Sequence, residues 1–166
     1  MFDTLKFEKS DNQTMLLTRR FDAPRDLVFA AYTTPALMRR WLLGPPGWSM
    51  VVCDFQPVAG FRYRLAWRNN DDSGQEFGLS GRVLEIDPPH RMVTTELFEG
   101  QPPEAESIQT ITLTELDGIT KLVQTNRYPT TELCDASYAD HKDGGMDGTF
   151  DLLEALLDDL METQKT

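Results

Sequence analysis

The chain has 166 residues, 40% of them hydrophobic and 26% charged, with 16 basic and 27 acidic side chains and a formal net charge of −11. That is the size and composition of one globular domain able to bury its own core. The acidic excess speaks against nucleic acid and against anionic membrane surfaces, because Lys and Arg carry both kinds of contact.

Nothing approaches the roughly eighteen consecutive apolar residues of a membrane-spanning helix. The segment from Met1 to Gln13 is charged where a secretory leader needs an apolar stretch, so a cytoplasmic location and a single domain over residues 1–166 are expected, its core falling at about 14–162. Two cysteines are too few for a disulfide framework. Cys53 lies in an apolar strand-like run and reads as a small core residue, and Cys134 has no basic neighbour in sequence to lower its pKa.

Met15, Leu17, Arg19 and Phe21 alternate with Leu16, Thr18 and Arg20, which predicts a strand with both faces partly apolar. Asp22-Ala23-Pro24 ends it and opens a helix, because the N–H that proline lacks would be unpaired in a first helical turn. Val28, Ala31 and Tyr32 follow at helical spacing, and Thr34-Pro35 opens a second short helix that runs to Trp41. Gly44-Pro45-Pro46-Gly47 is a turn.

From Trp48 the pattern is that of strands. Trp48 to Phe55 is the first, and a turn at Pro57 to Gly60 follows. Phe61, Tyr63, Leu65 and Trp67 then alternate with Arg62, Arg64, Ala66 and Arg68, an aromatic face against a basic one. Strands are predicted over Phe77 to Ile86, Arg91 to Phe98, Ser107 to Leu116 and Ile119 to Tyr128, the last two joined at Asp117-Gly118, a strong hairpin signal. Thr131 to His141 is either a separate short helix or the irregular start of the last one. The final segment places Met146, Phe150, Leu153, Leu157 and Leu160 on one helical face, widened by Leu152, Leu156 and Met161, with acidic residues opposite.

The element order, strand, two helices, about six strands and a long helix, predicts an α+β fold in which hairpin-linked antiparallel strands bury one amphipathic helix. A curved sheet closed by a helix leaves concave, mostly apolar space, which is the default place for a ligand.

No catalytic or nucleotide-binding motif is present: there is no G-x-S-x-G, no Walker loop and no G-x-G-x-x-G. His90 and His141 are far apart, in predicted turn or loop positions, and form no cluster of metal-ligand spacing, so neither metal nor cofactor is expected. If Ile111, Leu113 and Leu122 face inward, period two turns Gln109, Gln124 and Asn126 inward with them. Buried amides need partners. They either pair with one another and with water, or receive the polar end of a neutral ligand, and the opposite register would turn all three outward.

The run Phe21-Asp22-Ala23-Pro24, Val28-Phe29, Ala31, Thr33, Pro35, Met38 and Trp41 resembles the bacterial branch of the Hsp90-ATPase-activator homologues, within the START-like (SRPBCC) superfamily. The likeness continues through Gly60-Phe61-Arg62-Tyr63, Gly81, Glu85-Ile86-Asp87-Pro88-Pro89, Thr112-Leu113-Thr114 and Gly145-Met146-Asp147-Gly148, and extends from residue 14 to residue 160. Ala59 departs from it, where the family often has a second glycine before Gly60.

The resemblance implies a helix-grip fold, a curved antiparallel sheet of about seven strands wrapped on a long C-terminal helix in β-α-α-β(6)-α order. It transfers no catalytic residue. With that fold, the expected cavity wall is Trp41, Trp48, Tyr63, Leu65, Trp67, Phe77, Gln109, Ile111, Gln124, Asn126, Met146, Phe150 and Leu153, and the expected partner is a small hydrophobic molecule with a polar end. Two alternatives stay open, since fold does not decide function. One is a polyketide cyclase or aromatase-like enzyme using Tyr63 or Glu96 as acid or base. The other is a chaperone co-factor. Exposed edge strands leave room for a homodimer.

Overall fold

The computed structural model describes residues 5–142 and 147–164. Its strands are β1 (Lys6–Asp11), β2 (Thr14–Phe21), β3 (Trp48–Asp54), β4 (Arg62–Asn69), β5 (Glu76–Asp87), β6 (Arg91–Phe98), β7 (Ser107–Leu116) and β8 (Ile119–Arg127). Helices α1 (Arg25–Thr33) and α2 (Pro35–Trp41) separate β2 from β3, and α3 (Thr131–His141) and α4 (Asp147–Gln164) follow β8. All pairings are antiparallel, and the strands form one sheet in the order β1-β2-β8-β7-β6-β5-β4-β3. Among the described residues no helix is long and apolar enough to cross a membrane.

The helix starts are those the prolines dictate. Pro24 stands extended before α1 at ψ 150°, and Pro35 occupies the first turn of α2. The Asp117-Gly118 hairpin turn puts both residues at positive φ, 54° and 79°, as a two-residue turn matched to strand twist demands. Irregularities of pairing at Lys9/Asp11, Met50/Val52 and Val83/Glu85 break the ladder locally, and bulges of this kind bend a sheet.

Helix α4 lays Phe150, Leu153, Leu156 and Leu157 into the core, each under 5% exposed. The Phe150 ring meets Phe21 of β2 at 6.3 Å and Trp41 of α2 at 6.2 Å. Trp41 is fixed in turn by its indole N–H, which donates to the Ala31 carbonyl at 2.9 Å. Arg19 reaches from β2, 1% exposed, and its guanidinium lies 3.4 Å from both Asp151 and Glu154 of α4. The exposed pair Arg40–Asp159 at 2.7 Å ties α2 to α4.

The fold is thus the expected helix-grip arrangement, with two differences and one open alternative decided in favour of a separate helix. An eighth strand, β1, pairs with β2 at the sheet edge; its sequence, KFEKSD, is polar enough to carry no strand signal. Residues Thr131–His141 form a helix of their own, capped by the Thr130 hydroxyl, which accepts from the Leu133 N–H at 3.2 Å. Leu152 does not widen the buried face of α4 but is 40% exposed.

Candidate ligand cavity

The same alternation that builds β4 lines a space beneath α2 and α4. Tyr63, Leu65 and Trp67 point inward while Arg62, Arg64 and Arg68 stay in solvent. They join Met38 and Trp41 of α2, Phe55, Leu79 of β5, Met92 of β6 and Phe150 of α4 around a cavity of about 250 Å³. Trp67 is locked by an indole hydrogen bond to the Leu42 carbonyl at 2.8 Å.

The opposite end of the cavity is polar. Strand β6 contributes Glu96, β7 contributes Gln109, and β8 contributes Gln124 and Asn126, with Tyr128 just beyond; Ser137 and His141 of α3 complete this end. Pairing puts Gln109 across from Asn126 and Ile111 across from Gln124. The amide of Gln124 donates to Asn126 Oδ1 at 2.9 Å, and Asn126 Nδ2 donates to Glu96 Oε1 at 3.1 Å. The Tyr128 and Ser137 hydroxyls bond at 2.7 Å, and His141 Nδ1 is 2.9 Å from the Ser137 carbonyl.

Glu96 keeps only a partly accessible surface, and that surface belongs to the cavity lining. Its carboxyl is pushed up to about 7 by burial, with the Asn126 hydrogen bond acting in the other direction. The terminal amide of Gln109 is 2.6 Å from Glu96 Oε2. This contact closes in either protonation state. An ionised Glu96 accepts from the Gln109 NH2 group, and a protonated Glu96 donates to the Gln109 oxygen after a half-turn of that amide. The cluster can therefore gain or lose a proton without leaving a buried donor or acceptor unpaired.

Two tyrosines frame the middle of the cavity. The Tyr63 hydroxyl donates to the Thr95 carbonyl at 2.6 Å, and burial, followed by the nearby Glu96, pushes its pKa up. Gly81 permits this contact, since a Cβ there would stand 1.9 Å from the Thr95 oxygen and 2.9 Å from the Tyr63 ring. The Tyr32 hydroxyl is buried without a hydrogen-bond partner among the described residues, and burial raises its pKa while Arg19 opposes the rise.

Of the expected wall residues, Trp41, Tyr63, Leu65, Trp67, Gln109, Gln124, Asn126 and Phe150 line the cavity. Trp48 and Phe77 do not: Phe77 stacks on the far side of Trp67 at 4.9 Å and Trp48 packs edge-on to Phe77 at 5.1 Å, so the two back the wall without forming it. Ile111 and Leu153 are not in the lining either; both are buried in the core, at 3% and 0% exposed. Met146 lies outside the described residues.

The lining gains residues the expected wall left out, above all Glu96, in the series Met92, Thr94, Glu96 and Phe98 along one face of β6. His141 is not in a loop but in the last turn of α3, beside the ring of Phe7. His90 is exposed in its turn. Among the described residues no three His, Cys, Asp or Glu side chains are grouped to hold a metal. Cys53 is partly buried with its Sγ 3.9 Å from Met38 Sδ, Cys134 is buried, and burial pushes both thiols up, away from the thiolate.

Solved structures share this architecture. A protein of Rhodobacter sphaeroides is 31% identical over 94% of this chain and 99% of its own, with a TM-score of 0.84. One of Chromobacterium violaceum is 28% identical over 89% and 98%, with a TM-score of 0.75, and one of Staphylococcus epidermidis is 25% identical over 93% and 94%, at 0.78. A comparison with curated proteins finds no match. Residues 22–158 match the family described as activator of Hsp90 ATPase homolog 1-like protein, and with most of its length inside that match the chain belongs to this family.

Proposed function

We propose that the protein binds one small amphiphilic molecule, its apolar body between the β4 aromatics and α4 and its polar end at the Glu96 cluster. One observation carries this reading: the carboxyl and amide side chains of the cavity, Glu96, Gln109, Gln124 and Asn126, are joined in one hydrogen-bonded cluster, whereas Met38, Trp41, Leu65, Trp67 and Phe150 give it apolar and aromatic walls. Such an asymmetric lining orients a ligand, because apolar contact supplies affinity and a few placed polar groups supply direction. A cavity of about 250 Å³ is of a size that suits a short amphiphile.

Native mass spectrometry of the purified protein, followed by organic extraction, tests it. A co-purifying species of defined mass supports the reading. A bare protein mass, together with no saturable change of tryptophan fluorescence across a panel of short amphiphiles, removes it.

A second reading is favoured by Glu96 itself. A buried carboxyl of pKa near 7 that faces a cavity is a suitable general base for abstracting a proton next to a carbonyl. Deuterium exchange at the α-carbon of a short aryl ketone, catalysed by the wild type and lost in Glu96→Gln, is the expected sign. Equal exchange rates with and without protein would sink it.

A further inference from the structure

The cavity's polar end has a definite sign. Among the described residues that line it, Glu96 is the one carboxylate, and no Lys or Arg faces it. His141 is the one imidazole there, and its Nδ1 is already engaged by the Ser137 carbonyl. The donors of Asn126 and Gln109 are turned onto the Glu96 oxygens, and the donor of Gln124 onto Asn126. What the cluster leaves for a ligand is mostly lone pairs: the remaining capacity of the Glu96 carboxylate and the Gln124 oxygen, which accepts nothing from the described residues.

We propose that this end recognises a primary amine in its ammonium form, so that the ligand class is a short alkyl- or arylalkylamine seated with its nitrogen against Glu96. The inference rests on the cavity reading above and narrows it. An ammonium brings three donors to a site rich in acceptors and neutralises a carboxylate that is poorly solvated where it stands. A carboxylate head would meet Glu96 with like charge and find few free donors. A hydroxyl head fits the hydrogen bonding but leaves the charge uncompensated.

The test is a matched series, octylamine, octanol and octanoate, titrated at about pH 8 in about 0.15 M NaCl with the fluorescence of Trp41 and Trp67 as signal. The wild type is expected to bind octylamine at least about tenfold more tightly than octanol, as a charge-assisted contact implies, and octanoate most weakly. Glu96→Gln should bring the amine down to the level of the alcohol. Asp158→Asn, which removes an exposed charge from the outer side of α4, should leave the preference intact and so exclude general attraction of the cation to an acidic surface.

Equal affinity for all three heads would leave the cavity reading standing and overturn the amine assignment. So would tighter binding of octanoate, or an amine preference that survives in Glu96→Gln. Absence of binding by any member at millimolar concentration would overturn both.

Discussion

Glu96 couples the cavity to pH, and the direction follows from its surroundings. Burial raises its pKa from the ordinary 4.5 to about 7, so the folded chain holds a proton at pH values where the unfolded chain has released it. A group shifted this way contributes most to stability at low pH. Its contribution is lost as pH rises from the unfolded pKa through the folded one, and over that window it amounts to at most about 3 kcal/mol. Urea unfolding of wild type and Glu96→Gln at about pH 5 and about pH 8 measures this. The glutamine variant, whose amide can still pair with a rotated Gln109, is expected to gain about 2 to 3 kcal/mol on the wild type between the two conditions. Parallel pH dependence of the two proteins would mean that Glu96 titrates as an ordinary surface carboxyl. At Gly81 the constraint is steric. The Cβ of Gly81→Ala would overlap the Thr95 carbonyl that accepts from Tyr63, so the strand must shift or that hydrogen bond must break. A loss of about 3 kcal/mol or more is expected in the same assay, and a loss below about 1 kcal/mol would show that the β5–β6 ladder yields easily.

At the scale of elements, the attachment of α4 depends on apolar packing and on a buried charge. Arg19 sits between β2 and α4, with Nε and Nη2 making no hydrogen bond to the described residues although two carboxylates approach to 3.4 Å. An ion held this way is poor value for stability, since desolvation offsets most of the attraction. Arg19→Met, which keeps the volume and removes the charge, is therefore expected to change stability by less than about 1 kcal/mol or to raise it. The double change Asp151→Asn with Glu154→Gln, which strands the guanidinium, is expected to cost about 3 kcal/mol. Thermal and urea melts that ranked the two the other way would show that the ion pair itself holds the helix. The elements differ in how far the sequence disclosed them, and the reason is local. Strand β4 was legible because only one of its faces is apolar and turns bound it. On β6 the neighbours of Glu96 on the opposite face, Val93 and Thr95, are also buried, so alternation could not say which face met the cavity. Helix α3 buries only Cys134 and has no apolar stripe to announce it. Strand β1 is held by backbone pairing to β2 and by Phe7 stacked on Tyr138 at 5.8 Å, neither of which composition records.

For the whole molecule, the order of elements and the turn residues were enough to indicate the architecture, whereas the polar end of the cavity required β6, β7 and β8 to be laid side by side. Charge is the remaining property of the molecule at this scale. The chain carries −11, and the solvent side of α4 adds Asp158, Asp159 and Glu162 to the carboxylates facing Arg19. The pairs Arg64–Glu99, Arg91–Glu85 and Arg40–Asp159 are exposed, and exposed pairs contribute little individually. Repulsion among the excess carboxylates acts over the whole surface and is relieved on unfolding. Screening should therefore weaken repulsion more than attraction. Raising NaCl from about 0.02 to about 0.3 M is expected to stabilise the fold by about 1 kcal/mol, read from urea melts at constant pH. The increment should shrink when the exposed Asp158 is changed to asparagine, because that substitution removes part of the repulsion that salt otherwise screens. A fall in stability with salt would instead mean that the exposed ion pairs and the Arg19 contacts outweigh the net charge.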